Sequence, residues 1–236
     1  MNLLWTVWGA VLGWPAGAAL RGTVFWLSVP PGAPERTTCP LCAAPVRYWL
    51  AIRCWNCGLS LGTPLVLEAT TAAVLALLLG RLGGQPVTIA FAFLGALGVA
   101  LAAIDLAVQR LPDRLTLPAY PILIALLGVA AAVQDDPGAL VRALLGGLML
   151  AAGYLVLALL RPGQLGGGDI KLAGLAGLAL GWLGWPTLVF GAALGFVLSA
   201  LVSLALLAVR RITLQSVICF GPFLLGGALL AILASG

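Results

Sequence analysis

Long apolar runs separated by short polar breaks dominate this chain, and its one long polar stretch lies near the start. The first run, residues 3–27, is crowded with tryptophan early (Trp5, Trp8, Trp14) and interrupted late by Arg21. A removable signal would open with basic residues, whereas Met1-Asn2 carries none and tryptophans crowd the start, so it is expected to be a retained span. Its tryptophans are expected near one membrane interface, and Arg21 should snorkel or face other helices. Residues 28–63 are the one long polar segment, with Pro30, Pro31, Pro34, Pro40, Arg36, Arg47, Arg53 and two cysteine pairs. Beyond it the apolar pattern predicts membrane helices over 64–79, 87–105, 115–133, 139–160, 169–182, 187–209 and 217–235. The breaks carry turn residues: Gly83-Gly84-Gln85-Pro86, Asp135-Asp136-Pro137-Gly138, and Gly181 through Pro186. The 169–182 span is short and starts at an acid, which suggests a helix that begins inside the membrane and lines a cavity.

Composition turns this pattern into a fold class. Hydrophobic residues make up 62% of the 236 residues and charged residues 8%, against about a quarter charged in soluble domains. The expectation is an all-α, polytopic membrane protein of about eight transmembrane helices whose main partner is the lipid bilayer. Three parts follow: 1–27, the first helix; 28–63, a small extramembrane cysteine module; and 64–236, a membrane domain of about seven helices.

The net charge of +5 does not imply a nucleic-acid partner, because the basic residues are dispersed among short loops. They report orientation instead. One set of alternating loops holds Arg36, Arg47, Arg53, Arg110, Arg114, Arg161, Lys171, Arg210 and Arg211; the other holds Arg81 and Arg142 beside Asp135 and Asp136. The first set is therefore placed in the cytoplasm, with the N-terminus outside and the cysteine module inside. Gly146, Gly147 and Gly153, and Gly174, Gly177 and Gly181, recur at helical spacing and predict close helix packing in lipid.

Candidate chemistry is limited by what is missing. The chain has no histidine, which removes Ser-His-Asp and Cys-His catalysis and histidine-ligated metal. Cys39-Pro40-Leu41-Cys42 and Cys54-Trp55-Asn56-Cys57 form two C-x2-C knuckles, a set that closes a tetrahedron around structural zinc; redox thiols are the alternative. Cys219, alone in an apolar run, reads as a small buried hydrophobe.

Two acids stand at the ends of apolar runs. Asp105 closes the 87–105 run, and Asp169 follows Leu165-Gly166-Gly167-Gly168. Carboxylates so near hydrocarbon are expensive and mark functional sites. Together they are what an aspartyl protease built inside a bilayer needs. Glycine lets an extended peptide lie close to Asp169, and Lys171, the only lysine, is placed to stabilise its ionised form. The alternatives are structural: Asp105 a loop acid paired with Arg110 or Arg114, Asp169 and Asp113 helix caps, Lys171 an interfacial anchor. A phosphate-cradling loop does not fit, since Gly-Lys-Ser/Thr and a preceding strand are both lacking.

These motifs in this order resemble the type IV prepilin peptidases, bacterial leader peptidase/N-methyltransferases. The resemblance rests on the two cysteine pairs, on Pro64-Leu65-Val66-Leu67-Glu68, and on Ile104-Asp105 with Leu111-Pro112-Asp113. It rests also on Gly166-Gly167-Gly168-Asp169-Ile170-Lys171, the family's Gly-x-Gly-Asp box, and on Phe220-Gly221-Pro222-Phe223. It covers nearly the whole chain. The segment 43–53 departs from the family pattern, in a region associated with methyl transfer. The resemblance implies an inner-membrane aspartyl endopeptidase with a cytoplasmic zinc-ribbon-like module and Asp105 and Asp169 as its catalytic pair. The implied substrates are prepilins or pseudopilins with a short basic leader. It also implies S-adenosylmethionine-dependent N-methylation, for which Glu68 is a candidate unless it pairs with Arg21. A leader peptidase without methyl transfer and a non-catalytic membrane assembly protein are the competing readings.

Overall fold

The computed structural model describes residues 2–30, 34–46, 53–60, 65–160, 165–211 and 219–235. Among them the chain forms eight helices: α1 (Leu3–Leu27), α2 (Val66–Leu82), α3 (Thr88–Val108), α4 (Asp113–Gln134), α5 (Pro137–Leu160), α6 (Gly167–Leu183), α7 (Trp185–Ala208) and α8 (Gly221–Ala234). Five of these, α1, α3, α4, α5 and α7, are long and apolar enough to cross a membrane. The only extended pairings among the described residues are the isolated bridges Thr38–Pro45 and Arg53–Ser60. The protein is an all-helical, multi-pass membrane protein.

Helix α1 has the expected bounds. Helix α3 runs three residues past the expected end, so Asp105 lies within its last turn. The break expected from Gly181 to Pro186 shrinks to one residue. Gly184 takes φ +138°, a conformation side chains avoid, while Trp185 and Pro186 already open α7. Asp136 caps α5 by accepting from the Ala139 N–H at 2.9 Å, so Pro137 and Gly138 are helical rather than loop. The expected starts at Pro64 and Val217 lie outside the described residues, as do Pro31, Arg47 and Arg161.

The chain divides into two compact units, Met1–Pro112 and Asp113–Gly236. In the first, α1 and α2 run antiparallel in near backbone contact. Gly9, Gly13 and Gly17 lie one turn apart on one face of α1. A Cβ at each would stand 2.4 Å from the Leu75 carbonyl oxygen, 2.5 Å from Ala72 Cα and 2.6 Å from Glu68 Cα, respectively. Small residues at this spacing let helices approach in lipid, where close packing replaces the hydrophobic effect. At the far end the Asn2 N–H donates to the Gly80 carbonyl at 2.9 Å, and Asn2 Oδ1 caps α1 through the Leu4 N–H. Helix α3 packs on α2, with Gly95 against Leu78 and Val74.

In the second unit α5 and α6 form the tightest pair. Gly146 and Gly147 meet Gly174, Gly177 and Gly181, as their spacing predicts, but a Cβ at Gly153 would meet nothing within 4 Å. Gly153 is thus not part of that seam. Helices α7 and α8 pack through Gly191, Gly195 and Gly227.

Candidate active site

The cysteine module is built from two copies of one turn. The Cys39 N–H donates to the Ala44 carbonyl and the Ala43 N–H returns to the Cys39 carbonyl. The Cys54 N–H donates to Leu59 and the Gly58 N–H to Cys54 in the same way, all at 2.8–2.9 Å. The fourth residue after each first cysteine takes positive φ, Ala43 at 55° and Gly58 at 72°. The two knuckles face each other. Cys39 Sγ lies 3.6 Å from Cys57 Sγ and Cys42 Sγ lies 3.5 Å from Cys54 Sγ, and all four sulfurs fall within 4.8 Å of one another. Four thiolates at zinc–sulfur bond length in a tetrahedron stand about 3.8 Å apart, so the set fits a zinc ion.

The electrostatics argue the same way. The Ala44 N–H draws the Cys42 thiol down to about 6, against desolvation. The Leu59 N–H favours the Cys57 thiolate, yet desolvation and the neighbouring thiols push that group up to about 12. One thiolate is easy here and four are not, unless a dication balances them. With no fifth ligand in the set, zinc would hold the module's shape. The module is tied to α1 by the Arg36 N–H on the Trp26 carbonyl at 3.3 Å and by the Arg36 guanidinium 5.6 Å from the Phe25 ring centre.

Glu68 sits in the first turn of α2 and is 1% exposed, and Arg21 is 5% exposed. The two form an ion pair. Arg21 therefore faces the helix interior, and Glu68 is committed to it. Breaking a buried pair from one side leaves an uncompensated charge, at about 3–5 kcal/mol. Glu68→Ala should destabilise the first unit by that amount, whereas Arg21→Met with Glu68→Leu should recover most of it. Thermal unfolding of the two variants beside wild type checks this, and a double variant no more stable than Glu68→Ala would show that the loss does not come from the uncompensated charge.

Asp105 is 5% exposed in the last turn of α3. Its carbonyl accepts the Gln109 N–H at 2.7 Å, and Gln109 ends the helix in the left-handed region. The helix boundary thus lies one turn after the acid.

Asp169 is in the first turn of α6, and its carboxylate and backbone both turn back on Gly166. Oδ2 accepts from the Gly166 N–H at 3.1 Å, and the Asp169 N–H donates to the Gly166 carbonyl at 3.0 Å. Asp169 is not the N-cap considered from sequence: Gly166 holds that position, and the carboxylate of the third helical residue reaches back to it, which fixes its orientation at a half-buried helix start. Gly166 has φ −79°, a conformation any residue adopts. A Cβ at Gly167 would meet nothing within 4 Å. Among the described residues, neither backbone strain nor packing requires glycine at these two positions.

Lys171 makes its ion pair with Asp113, at 2.5 Å, and not with Asp169 as expected. The reason is helical geometry: residues two apart point to different sides. Asp113 accordingly opens α4 as the lysine's partner. Both groups are substantially exposed, 35% and 59% by side chain, so the pair is worth at most about 1 kcal/mol.

Two supports of the Asp169 helix had no signal in the sequence. Tyr120 on α4 donates its hydroxyl to the Lys171 carbonyl at 2.7 Å, passing over Gly174, where a Cβ would stand 2.0 Å from the tyrosine oxygen. At the other end of α6 the Arg142 guanidinium donates to the Gly181 and Trp182 carbonyls at 3.2 and 3.0 Å, a cation on a helix C-terminus. Each contact joins residues far apart in sequence whose pairing depends on helix register.

Of the expected site residues, the structure brings the four cysteines together, joins Glu68 to Arg21, and ties Asp169 to Gly166. Asp105 belongs to the first unit and Asp169 to the second.

Comparison with known proteins adds to this geometry. Residues 91–204, which include both aspartates, match the model of the type IV leader peptidase family. Over 206 residues the chain is 34% identical to the prepilin leader peptidase/N-methyltransferase of Aeromonas salmonicida, covering 80% of this chain and 68% of that protein. It is 34% identical to the protein of the same name from Dickeya chrysanthemi, over 90% of this chain and 76% of the relative. The Burkholderia pseudomallei protein of that name is 32% identical over 81% of this chain and 65% of its own length. No solved structure matches. On these matches, the chain belongs to the type IV leader peptidase family.

Proposed function

We propose that this protein is an aspartyl endopeptidase of the bacterial inner membrane that removes the short basic leader from prepilins or pseudopilins and methylates the new amino terminus. The observation that carries the reading is the family match over both aspartates, joined to their placement. Asp105 is buried at a helix end, and Asp169 is half-buried and oriented at a helix start.

In this reading the two carboxyls share one proton, because like charges held close cannot both ionise cheaply. Asp169 stands in the first turn of α6, where the helix dipole favours negative charge, and Asp105 in the last turn of α3, where it does not. Asp169 is then the base that takes a proton from the attacking water. Asp105 gives its proton to the scissile carbonyl oxygen, and when the resulting diol collapses the proton on Asp169 passes to the departing amine while one hydroxyl proton returns to Asp105. The pair titrates as a unit.

The open space beside Gly167 suits an extended substrate backbone lying along the start of α6. Gly167→Ala tests that use of the space. Alanine is a better helix former by about 1 kcal/mol, so the variant should be at least as stable as the parent yet cleave more slowly. Unchanged cleavage would remove the glycine run from substrate binding.

Methyl transfer rests on the names of the relatives. S-adenosylmethionine would supply the methyl group, but Glu68, buried and held by Arg21, offers it no open carboxylate. No residue is assigned to the donor. The deciding experiment incubates the purified protein with a prepilin from the same cell, with and without methyl donor, and reads intact mass. Loss of the leader and gain of one methyl group appear separately; an unmodified new amino terminus would leave the peptidase alone.

The arginine asymmetry puts the cysteine module and the chemistry on the cytoplasmic side. A single cysteine at Asp135 should be labelled by an impermeant reagent from outside and one at Arg210 should not. Labelling at Arg210 from the periplasm would reverse the orientation.

A further inference from the structure

A buried tyrosine hydroxyl in the second unit has no partner. Tyr154, near the end of α5, is 2% exposed, and its oxygen makes no hydrogen bond among the described residues. Its ring is clamped by Phe196 of α7 and by Phe220, with centroids 5.5 and 5.7 Å away, and those two rings are themselves 5.0 Å apart. The clamp fixes where the hydroxyl points. A phenylalanine would satisfy the same packing without leaving a polar group dry, which costs stability. Packing therefore accounts for the ring and leaves the oxygen unexplained.

Register shows what the oxygen is near. Helices α5 and α6 run antiparallel: Arg142 bonds the Gly181 carbonyl, Gly146 backs onto Gly177 and Gly147 onto Gly174. Each step forward along α5 meets a step back along α6. Tyr154 lies on the same buried side of α5 as Gly147 and Leu150, two turns beyond Gly147. The register carried on by two turns brings it level with Gly168 and Asp169. Consistent with that placement, the Asp169 carboxylate is close enough to act electrostatically on the Tyr154 hydroxyl. Among the described residues that hydroxyl is a donor without an acceptor, held rigidly at the level of the carboxylate proposed to activate water.

We propose that the Tyr154 hydroxyl donates a hydrogen bond to the scissile backbone carbonyl of the bound substrate at the Asp169 site, and that it stabilises the partial negative charge building on that oxygen as water attacks and before the proton from Asp105 has fully arrived. The inference rests on the peptidase reading above. A donor set in advance at a developing oxyanion in a dry site lowers the barrier without reorganisation. The aromatic clamp supplies the rigidity that this requires.

The test uses the full chain and its prepilin, with wild type, Tyr154→Phe and Asp169→Asn assayed side by side for cleavage and thermal stability. Tyr154→Phe should unfold at the same or a higher temperature, because it deletes an unsatisfied polar group, while kcat falls about 10²-fold and KM changes little. Cleavage by Tyr154→Phe at the wild-type rate would overturn the assignment while leaving the peptidase reading intact. A variant that loses stability and activity together would also overturn it, by showing that the hydroxyl has a structural partner. If wild type does not cleave, or Asp169→Asn cleaves as well as wild type, the peptidase reading fails and takes this inference with it.

Discussion

Asp105→Asn and Asp169→Asn should each reduce leader cleavage by at least about 10²- to 10⁴-fold, the range supplied by a positioned general acid or base, while the protein still inserts and folds. Asparagine keeps the size of the side chain and its oxygen acceptor, so the Gly166 N–H bond to position 169 has a replacement partner. What is lost is the ability to take or give a proton. Because the carboxyls are proposed to act as one unit, the double variant should be hardly worse than either single one. Asp113→Asn is the control. It breaks the exposed pair with Lys171 and should cost little stability or activity. Full activity in Asp169→Asn would end the aspartyl mechanism. Loss in Asp113→Asn with retention in Asp105→Asn would mean that the second carboxylate is Asp113.

The other large effect concerns the metal. Freshly purified protein should carry about one zinc per chain, and its removal should cost the module roughly 10 kcal/mol or more of folding free energy. The described parts of residues 28–63 have little else to hold them: short turn and bridge bonds, one bond from the Trp55 indole to the Pro45 carbonyl, and a few contacts to the end of α1 and to Arg110. Chelation should therefore expose the cysteines to alkylation and residues 28–63 to protease, with helix content largely unchanged. Cys39→Ser and Cys54→Ser, at the two buried positions, should do the same without chelator. Acidification should also release the ion, since each ligand must be deprotonated to bind. Metal-free protein with four freely alkylated thiols would refute the site.

What could be read in advance divides along the range of the interaction. The bounds of α1, the two knuckles and the glycine seam at Gly146, Gly147, Gly174, Gly177 and Gly181 are local or periodic, and composition states them directly. The Arg21–Glu68 pair was foreseeable for another reason: opposite charges are so scarce in these apolar runs that each has few candidate partners. Lys171 could be read as a support for Asp169 or as an interfacial anchor, and its pairing with Asp113 on another helix had no local signal. The contacts of Tyr120 and Arg142, and the level at which Tyr154 meets Asp169, depend on rotation and register between helices, which no local pattern encodes. Gly153 shows the converse, since its spacing matched the seam but its face did not.

The Arg21–Glu68 pair has a consequence for how the protein enters its membrane. A translocating machine meets α1 first, with an arginine that costs about 2.5–3.5 kcal/mol at the centre of a lone helix and less near an end. The counter-charge is on α2, separated from it by the whole cysteine module. Gly17, whose Cα–H side presses on Glu68 Cα, leaves no room for lipid between them once they meet. Partition of α1 into lipid and its docking on α2 are thus thermodynamically one event. The least apolar of the five helices long enough to cross the bilayer gains its counter-charge only after the ribosome has delivered α2.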